Sequence, residues 1–469
     1  MHDKITMTWK ETDRKGVFAR PIGENEEYIK LVGEIGLQPD RENWAVNATA
    51  TVVPVGSLAS RDLAAHFRRA WAHMRFQHPS LASEVAPDNK TLIYTVPADG
   101  DVLHAWVSQT FRVVDEAQSS ADVISSFRSS PYAKLVYIPR SGELLIHTVH
   151  WRIDGIGAML LLDALLAISS KPPPLADPAS LAWGTEVARL MPTIEDAASV
   201  PMESKPEFKE RAAALVGKFA HTVGAVGIPC LGHASTPPAG TRSAAIKLSP
   251  ATTEKVVAAC KARGVTVTSA VHASIAGANY ALADEAVRDR HYTSTIRFTL
   301  RPYLREPYST PVSASGLYTT GWMHRVEAQS SWAERLQNYQ NEYRKGITRD
   351  FLDSHREYAL HVAALLRSLP KPAAGDPPPP SDVEISSIGI IEKFVNRDYG
   401  TAEAGFEVKA VGLGVELLSR QCCTYVWTFR DQLNLSAVYN EAYHSADQMS
   451  RFVDTVKSLL LEGLGVEDS

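Results

Sequence analysis

The stretch ELLIHTVHWRIDGIGAMLLLDALLAIS, Glu143 to Ser169, reads as strand, turn and helix. Its first part is apolar and ends in the β-favouring pair Thr148-Val149, which predicts a strand from Glu143 to His150. The apolar run that follows the turn predicts a helix from about Gly157 to Ser169. Between them stand a histidine at the strand end, a carboxylate four residues on and then a glycine: His150, Asp154, Gly155. An imidazole with an ordinary pKa of about 6.5 is mostly neutral near pH 7 and can accept a proton, and a strand end mounts it rigidly. Gly155 is expected to let the backbone turn where a side chain would obstruct. By pattern alone, the same residues suit equally well a core histidine and a helix-capping aspartate.

On the N-terminal side, Ala45–Val55 is rich in Val, Thr and Ala and predicts a strand, with helical periodicity following over Ser57–Met74. His78-Pro79 ends that helix, because a residue before proline is pushed out of helical geometry. On the C-terminal side, Lys171-Pro-Pro-Pro174 opens a stretch to about Gly240 that mixes short helices with Pro, Gly and Ala. A second strand–helix unit then starts: Thr241–Leu248, followed by a helix with Ser249 as N-cap and Pro250 in its first turn. Thr268 or Ser269 is expected to cap the next helix, whose small residues allow close packing. Tyr292–Leu300 reads as a strand, and Ser331–Lys345 and His355–Leu369 as helices. The proline-rich Pro370–Asp382 is expected to be an extended surface loop. Strands follow at Val383–Ile391, Val408–Leu418, Cys423–Phe429 and Leu433–Asn440, with a final helix over Ser445–Leu461. The chain thus divides into 1–170, 171–240 and 241–469: a first lobe carrying the His/Asp/Gly turn, a connection and a second lobe.

A chain of 469 residues exceeds what one core usually serves, which agrees with two lobes. Hydrophobic residues at 45% and charged residues at 22% are those of an ordinary globular protein and exclude extensive disorder. A net charge of -5 with no block of Lys and Arg argues against a nucleic-acid partner. The four cysteines have no zinc-type spacing, so no metal site is expected and the thiols are read as reduced. The first ten residues are charged, with no signal-type apolar core, and Ile156–Ile168 is too short to span a bilayer. A cytoplasmic, non-membrane protein is the resulting expectation.

The segment His150-Trp-Arg-Ile-Asp154-Gly155 resembles the HxxxDG motif of the chloramphenicol acetyltransferase-like superfamily, and within it the fungal trichothecene O-acetyltransferases. The likeness runs from Arg75-Phe-Gln-His-Pro79 to the final helix. Thr299-Leu-Arg301-Pro-Tyr-Leu304 resembles the arginine–proline segment of the second lobe, and Ser386-Ser387-Ile-Gly389 the short serine–glycine strand near the lobe interface. Thr428-Phe-Arg-Asp-Gln-Leu433 with Tyr439-Asn440 is similar to the penultimate hairpin. Two positions depart from relatives. Val149 precedes His150 where condensation domains carry a second histidine, which favours the CoA-dependent branch, and Asp398-Tyr-Gly-Thr-Ala402 only echoes the DFGWG motif, so that Tyr399-Gly400 reads as a turn.

The resemblance implies an α/β fold of two chloramphenicol acetyltransferase-like lobes, each a mixed β-sheet with flanking helices, with the active-site channel at their interface. It implies an O-acyltransferase that moves an acyl group, acetyl being expected, from acyl-CoA to a hydroxyl of a small specialised metabolite. His150 would be the general base and acyl-CoA a cosubstrate, with no bound cofactor and a monomeric chain. Asp154 would point away from His150 and pair with an arginine, Arg301 being the choice and Arg152 and Arg297 the rivals. Ser386 and Ser387 are oxyanion or interface candidates, Trp151 a pocket candidate that either lines the pocket or packs, and His147 a packing or supporting residue. The alternatives are a related fold that catalyses cyclisation or rearrangement, a binding scaffold, or condensation with a carrier-bound donor.

Overall fold

The fold is described from a computed structural model over residues 7–34, 40–171, 175–233, 235–369 and 379–468. The strand Val46–Gly56 sits in the middle of a six-stranded sheet, with Ala48, Ala50 and Val52 alternating inward. On one side it pairs antiparallel with Glu143–Thr148, which is followed by Lys134–Ile138 and Phe111–Val113. On the other side come Ala404–Val415 and Asp398–Gly400. Sheet membership therefore crosses the division by chain order, since two strands from beyond residue 241 complete a sheet built around Val46–Gly56. Tyr399-Gly400 belongs to a short edge strand rather than a simple turn, although Gly400 does adopt φ +81°.

A four-stranded sheet places Val383–Ile390 parallel to Cys422–Phe429, which continues antiparallel to Gln432–Asn440 and Thr241–Lys247. Tyr292–Thr299 and Thr319–Val326 form a hairpin, and a small sheet gathers Lys10–Glu11, Val17–Pro21, Thr91–Thr95 and Glu84–Val85. Two large apolar cores result. One, around the six-stranded sheet, contains Phe67, Trp71 and Leu162; the other, around the four-stranded sheet, contains Ile275, Leu435 and Phe452.

The helix termini follow their caps. Asp62 caps Leu63–Gln77, Ser249 caps Pro250–Ala262, and Ser331 forms a capping box on Trp332–Lys345. The helix Val267–Leu282 starts earlier than the sequence suggested, because the Thr266 hydroxyl accepts from the Ser269 N–H at 3.1 Å. That places Thr268 in the first turn, free of capping duty. Of the expected loop Pro370–Asp382, residues 370–378 lie outside the described residues; Asp382 is buried and holds Gln421. Among the described residues, no helix is long and apolar enough to cross a membrane.

Candidate active site

The strand Glu143–Thr148 ends two residues before His150, which opens a single 3-10 turn, His150–Arg152. The chain then turns into the helix Gly155–Ser169 with Asp154 as N-cap. The Gly157 N–H donates to Asp154 Oδ1 at 2.7 Å, and the Tyr318 N–H donates to Oδ2 at 2.8 Å. Arg301, in the turn after Tyr292–Thr299, completes the shell: its Nη2 donates to Oδ2 at 3.1 Å and its Nε to Oδ1 at 3.3 Å. Nη1 of Arg301 is held in turn by Ser313, through the carbonyl at 3.1 Å and the hydroxyl at 2.9 Å. Asp154 thus gives both oxygens to one cap, one backbone amide and one guanidinium, with nothing left to orient the His150 ring. The rivals are engaged elsewhere: Arg152 donates to the carbonyls of Ser83 and Pro131, and Arg297 to Glu384 and the Ile385 carbonyl.

Gly155 does not have a positive φ, so it is not the turning residue the sequence suggested. Its bare Cα admits Leu413 and Ile388, whose methyls would lie 3.0 and 3.1 Å from an added Cβ. Gly157 is the stricter position, since a Cβ there would run into the Ala314 carbonyl and lie 2.7 Å from Arg301 Nη2. Gly157 lets the motif helix dock against the segment that carries Arg301, and Gly155 lets its first turn approach the strands that carry Leu413 and Ile388. Gly157 was in plain view in the sequence, but only the docking reveals why it is needed.

His150 borders a cavity of about 480 Å³ with walls from both large cores. Val46 and Leu413 come from the six-stranded sheet, Ile385 and Cys422 from the four-stranded one, and Thr268 from a helix packed on it. Nδ1 of His150 is buried without a well-formed hydrogen bond. Burial of the ring lowers its pKa below the ordinary imidazole value, the backbone of His150 itself and then Asp154 oppose this, and the Arg297 charge reinforces it. The imidazole is therefore neutral near pH 7. The structure sets Ser386 and Ser387 on the same cavity, with the Ser387 hydroxyl 2.8 Å from that of Thr268.

Trp151 does not line this cavity. It is 4% exposed and packed among Val149, Leu300 and Leu304, because the 3-10 turn sends adjacent side chains in different directions. The tryptophan beside His150 is Trp44, with ring centroids 5.9 Å apart. His147 lies on the same strand but stacks on Phe127 at 3.8 Å and meets Asn47 at 2.9 Å, and burial pushes its pKa down to about 3. It supports the sheet. Sequence reading missed Trp44 and gave Arg297 only a rival's part; neither belongs to a motif, and both reach the cavity through tertiary packing. Among the described residues, no group of three or more His, Cys, Asp or Glu is placed to hold a metal ion.

No protein-family model matches the chain. It is 43% identical to acetyltransferase pigO of Monascus ruber over 98% of this chain and 99% of the relative. It is 32% identical to O-acetyltransferase pigM of the same organism, over 98% of this chain and 88% of that one. Among solved structures, the trichothecene 15-O-acetyltransferase TRI3 of Fusarium sporotrichioides superposes with a TM-score of 0.81 at 19% identity, covering 97% of each chain.

Proposed function

The chain belongs to the fungal acetyltransferases of the chloramphenicol acetyltransferase-like family, and from that premise we propose that it moves an acetyl group from acetyl-CoA to a hydroxyl of a small specialised metabolite. The observation that carries this reading is the buried imidazole of His150 bordering a cavity walled by both large cores, with the Asp154 carboxylate held by Arg301 and two backbone amides instead of by that ring.

In the reaction, a ring nitrogen of His150 takes the proton of the acceptor hydroxyl as the oxygen attacks the thioester carbonyl. A C–O bond forms and the carbonyl oxygen becomes an oxyanion. Its collapse breaks the C–S bond, and the proton passes from the imidazolium to the departing thiolate, so no acyl-enzyme forms. Ser387, paired with Thr268 on the cavity wall, is the hydroxyl we assign to the oxyanion. Ser386 is the neighbouring candidate. Asp154 and Arg301 act at a distance, fixing the turn that presents His150. Of the two lobes whose meeting forms the channel, the first takes most of 1–170 together with the strands Asp398–Gly400 and Ala404–Val415, and the second takes the sheet and helices from the rest of 241–469.

The test is release of free thiol from acetyl-CoA in the presence of hydroxyl acceptors. His150→Ala is expected to lower kcat by about 10²- to 10⁴-fold with an unchanged melting profile. A well-folded H150A protein that turns over like the wild type overturns the reading.

A further inference from the structure

Trp44 is the third residue of the turn Glu42–Ala45, closed by the Ala45 N–H donating to the Glu42 carbonyl at 3.3 Å, and its φ is +65°. Glycine or asparagine adopts that left-handed geometry at little cost, whereas a bulky side chain is strained there. Strain of this kind persists where surrounding contacts over-determine it, and it concentrates at binding sites. Here the contacts are explicit. The Trp44 N–H donates to the Glu416 carbonyl at 2.6 Å, the Glu416 N–H donates to the Ala45 carbonyl at 2.7 Å, and the Leu418 N–H donates to Asn43 Oδ1 at 2.9 Å. Arg41 pairs with the Glu416 side chain in the interior.

The pinned turn aims the indole into the cavity. Its ring lies 5.9 Å from His150, tilted by 44°, and the Arg297 guanidinium carbon lies over one face of it, 6.0 Å from its centre. The side chain is only half-buried: it packs against two apolar clusters and leaves part of its surface on the cavity. Other walls of the cavity carry Tyr28, Phe219, Phe298, Tyr343 and Tyr358, and Arg297 is neutralised by Glu384. A site of this composition offers π-faces and no unpaired charge to a ligand.

We propose that Trp44 is a specificity-determining residue for the acceptor. Its indole face receives a planar, conjugated, uncharged ring system and so brings the hydroxyl on that ring system to His150. The proposal rests on the reading of this cavity as the acyl-transfer site.

Binding is measured by calorimetry without acetyl-CoA, using 2-naphthylmethanol and its saturated decahydro counterpart. The wild type binds the planar alcohol more tightly; Trp44→Leu weakens that affinity roughly three- to tenfold and leaves the saturated alcohol within about twofold. Trp44→Phe restores most of the difference. A wild type that does not prefer the planar alcohol, or a Trp44→Leu variant that loses neither probe or both equally, overturns the proposal. His150→Ala is run beside it: retained turnover in H150A removes the base assignment while the contrast between the probes still judges Trp44. Melting curves check the strain, since Trp44→Gly and Trp44→Ala both lose the indole but only alanine keeps a Cβ in the left-handed turn. W44G is expected to melt higher than W44A; the reverse order overturns the claim that the turn is strained.

Discussion

Two arginines leave the same stretch of chain four residues apart, each meets a carboxylate in the interior, and they do different work. Arg301 and Asp154 are 11% and 5% exposed, and their pair is closed off by the Gly157 and Tyr318 amides and by Ser313. Arg297 and Glu384 are 25% and 8% exposed, and both line the cavity. The first pair is saturated by backbone and holds two segments at fixed distance. The second spends part of its surface on the reaction space and acts through its field, in which the Arg297 charge disfavours imidazolium at His150. Asp154 also borders the cavity and Glu384 also accepts a backbone N–H, from Thr295 at 3.3 Å; what separates clamp from wall is the arginine, 11% exposed and held by Ser313 in the first, 25% exposed in the second.

The clamp is the larger contributor to folding. Breaking a buried pair leaves the remaining charge uncompensated and costs about 3–5 kcal/mol. Asp154→Ala also removes the N-cap of the motif helix. Denaturant titration of Asp154→Ala and Arg301→Ala is expected to show losses of that size, with the double variant losing less than the sum because the two share one interaction. Additive losses would break the assignment of the pair as a clamp. Activity falls in both variants through displacement of His150; in Asp154→Ala the loss of the carboxylate charge, which opposes the lowering of the His150 pKa, also moves the acid limb to lower pH, the reverse of the shift expected on removing the Arg297 charge.

The wall predicts the opposite pattern. For Arg297→Gln, stability falls less than in the clamp variants, since the site borders the cavity and the stranded Glu384 keeps the Thr295 hydroxyl at 3.0 Å. Its kinetic signature is a direction in pH. Protonated His150 cannot act as a base, so kcat/KM declines as pH falls through its pKa, which burial sets below the ordinary value and Arg297 lowers further. Removing the positive charge raises that pKa, and the acid limb moves to higher pH. An unmoved limb would show that Arg297 exerts no field on the base. The effect should persist at raised ionic strength, because partly buried charges are weakly screened.

The clamp was more legible in the sequence than the wall, for a physical reason. His150, Asp154 and Gly155 lie within one turn, where local spacing fixes geometry, and Arg301 sits in a recognisable arginine–proline segment. Strands and helices such as Val383–Ile390 and Ala446–Leu464 were also readable to within a few residues, because apolar periodicity and caps such as Ser445 are local. The wall depends on contacts across hundreds of residues: Trp44 reaches His150 only because Glu416 and Leu418 pin its turn, and Ser387 meets Thr268 across 119 positions. Asp398–Gly400 and Ala404–Val415, the latter overlapping the expected strand Val408–Leu418, fall in the second lobe by chain order but join the sheet of Val46–Gly56 for the same reason, since sheet partners are chosen in space. Trp151, expected either to line the pocket or to pack, packs, because adjacency to His150 in sequence does not fix which way a side chain points.

A third carboxylate on the motif helix calibrates both pairs. Asp163 accepts from the Tyr399 hydroxyl at 2.6 Å, so this contact ties the helix to the edge strand without a partner cation and without reaching the catalytic cavity. Burial raises the Asp163 pKa, and the phenol bond opposes that rise. Tyr399→Phe removes the charge-assisted bond to Asp163, worth about 1.5–3 kcal/mol and at the small end of that range because Asp163 is partly open to solvent, and it also takes away the oxygen that accepts the Asn396 N–H at 2.9 Å. Below the unfolded carboxylate pKa the acid is protonated in both states, so the stability difference between wild type and Y399F should shrink as pH is lowered through the carboxylate range. Neither kcat nor the acid limb should move, since neither His150 nor its turn is touched. A shift of the pH profile in Y399F would mean that the motif helix transmits strain to His150, and the separation of clamp from wall would then have to include the helix itself.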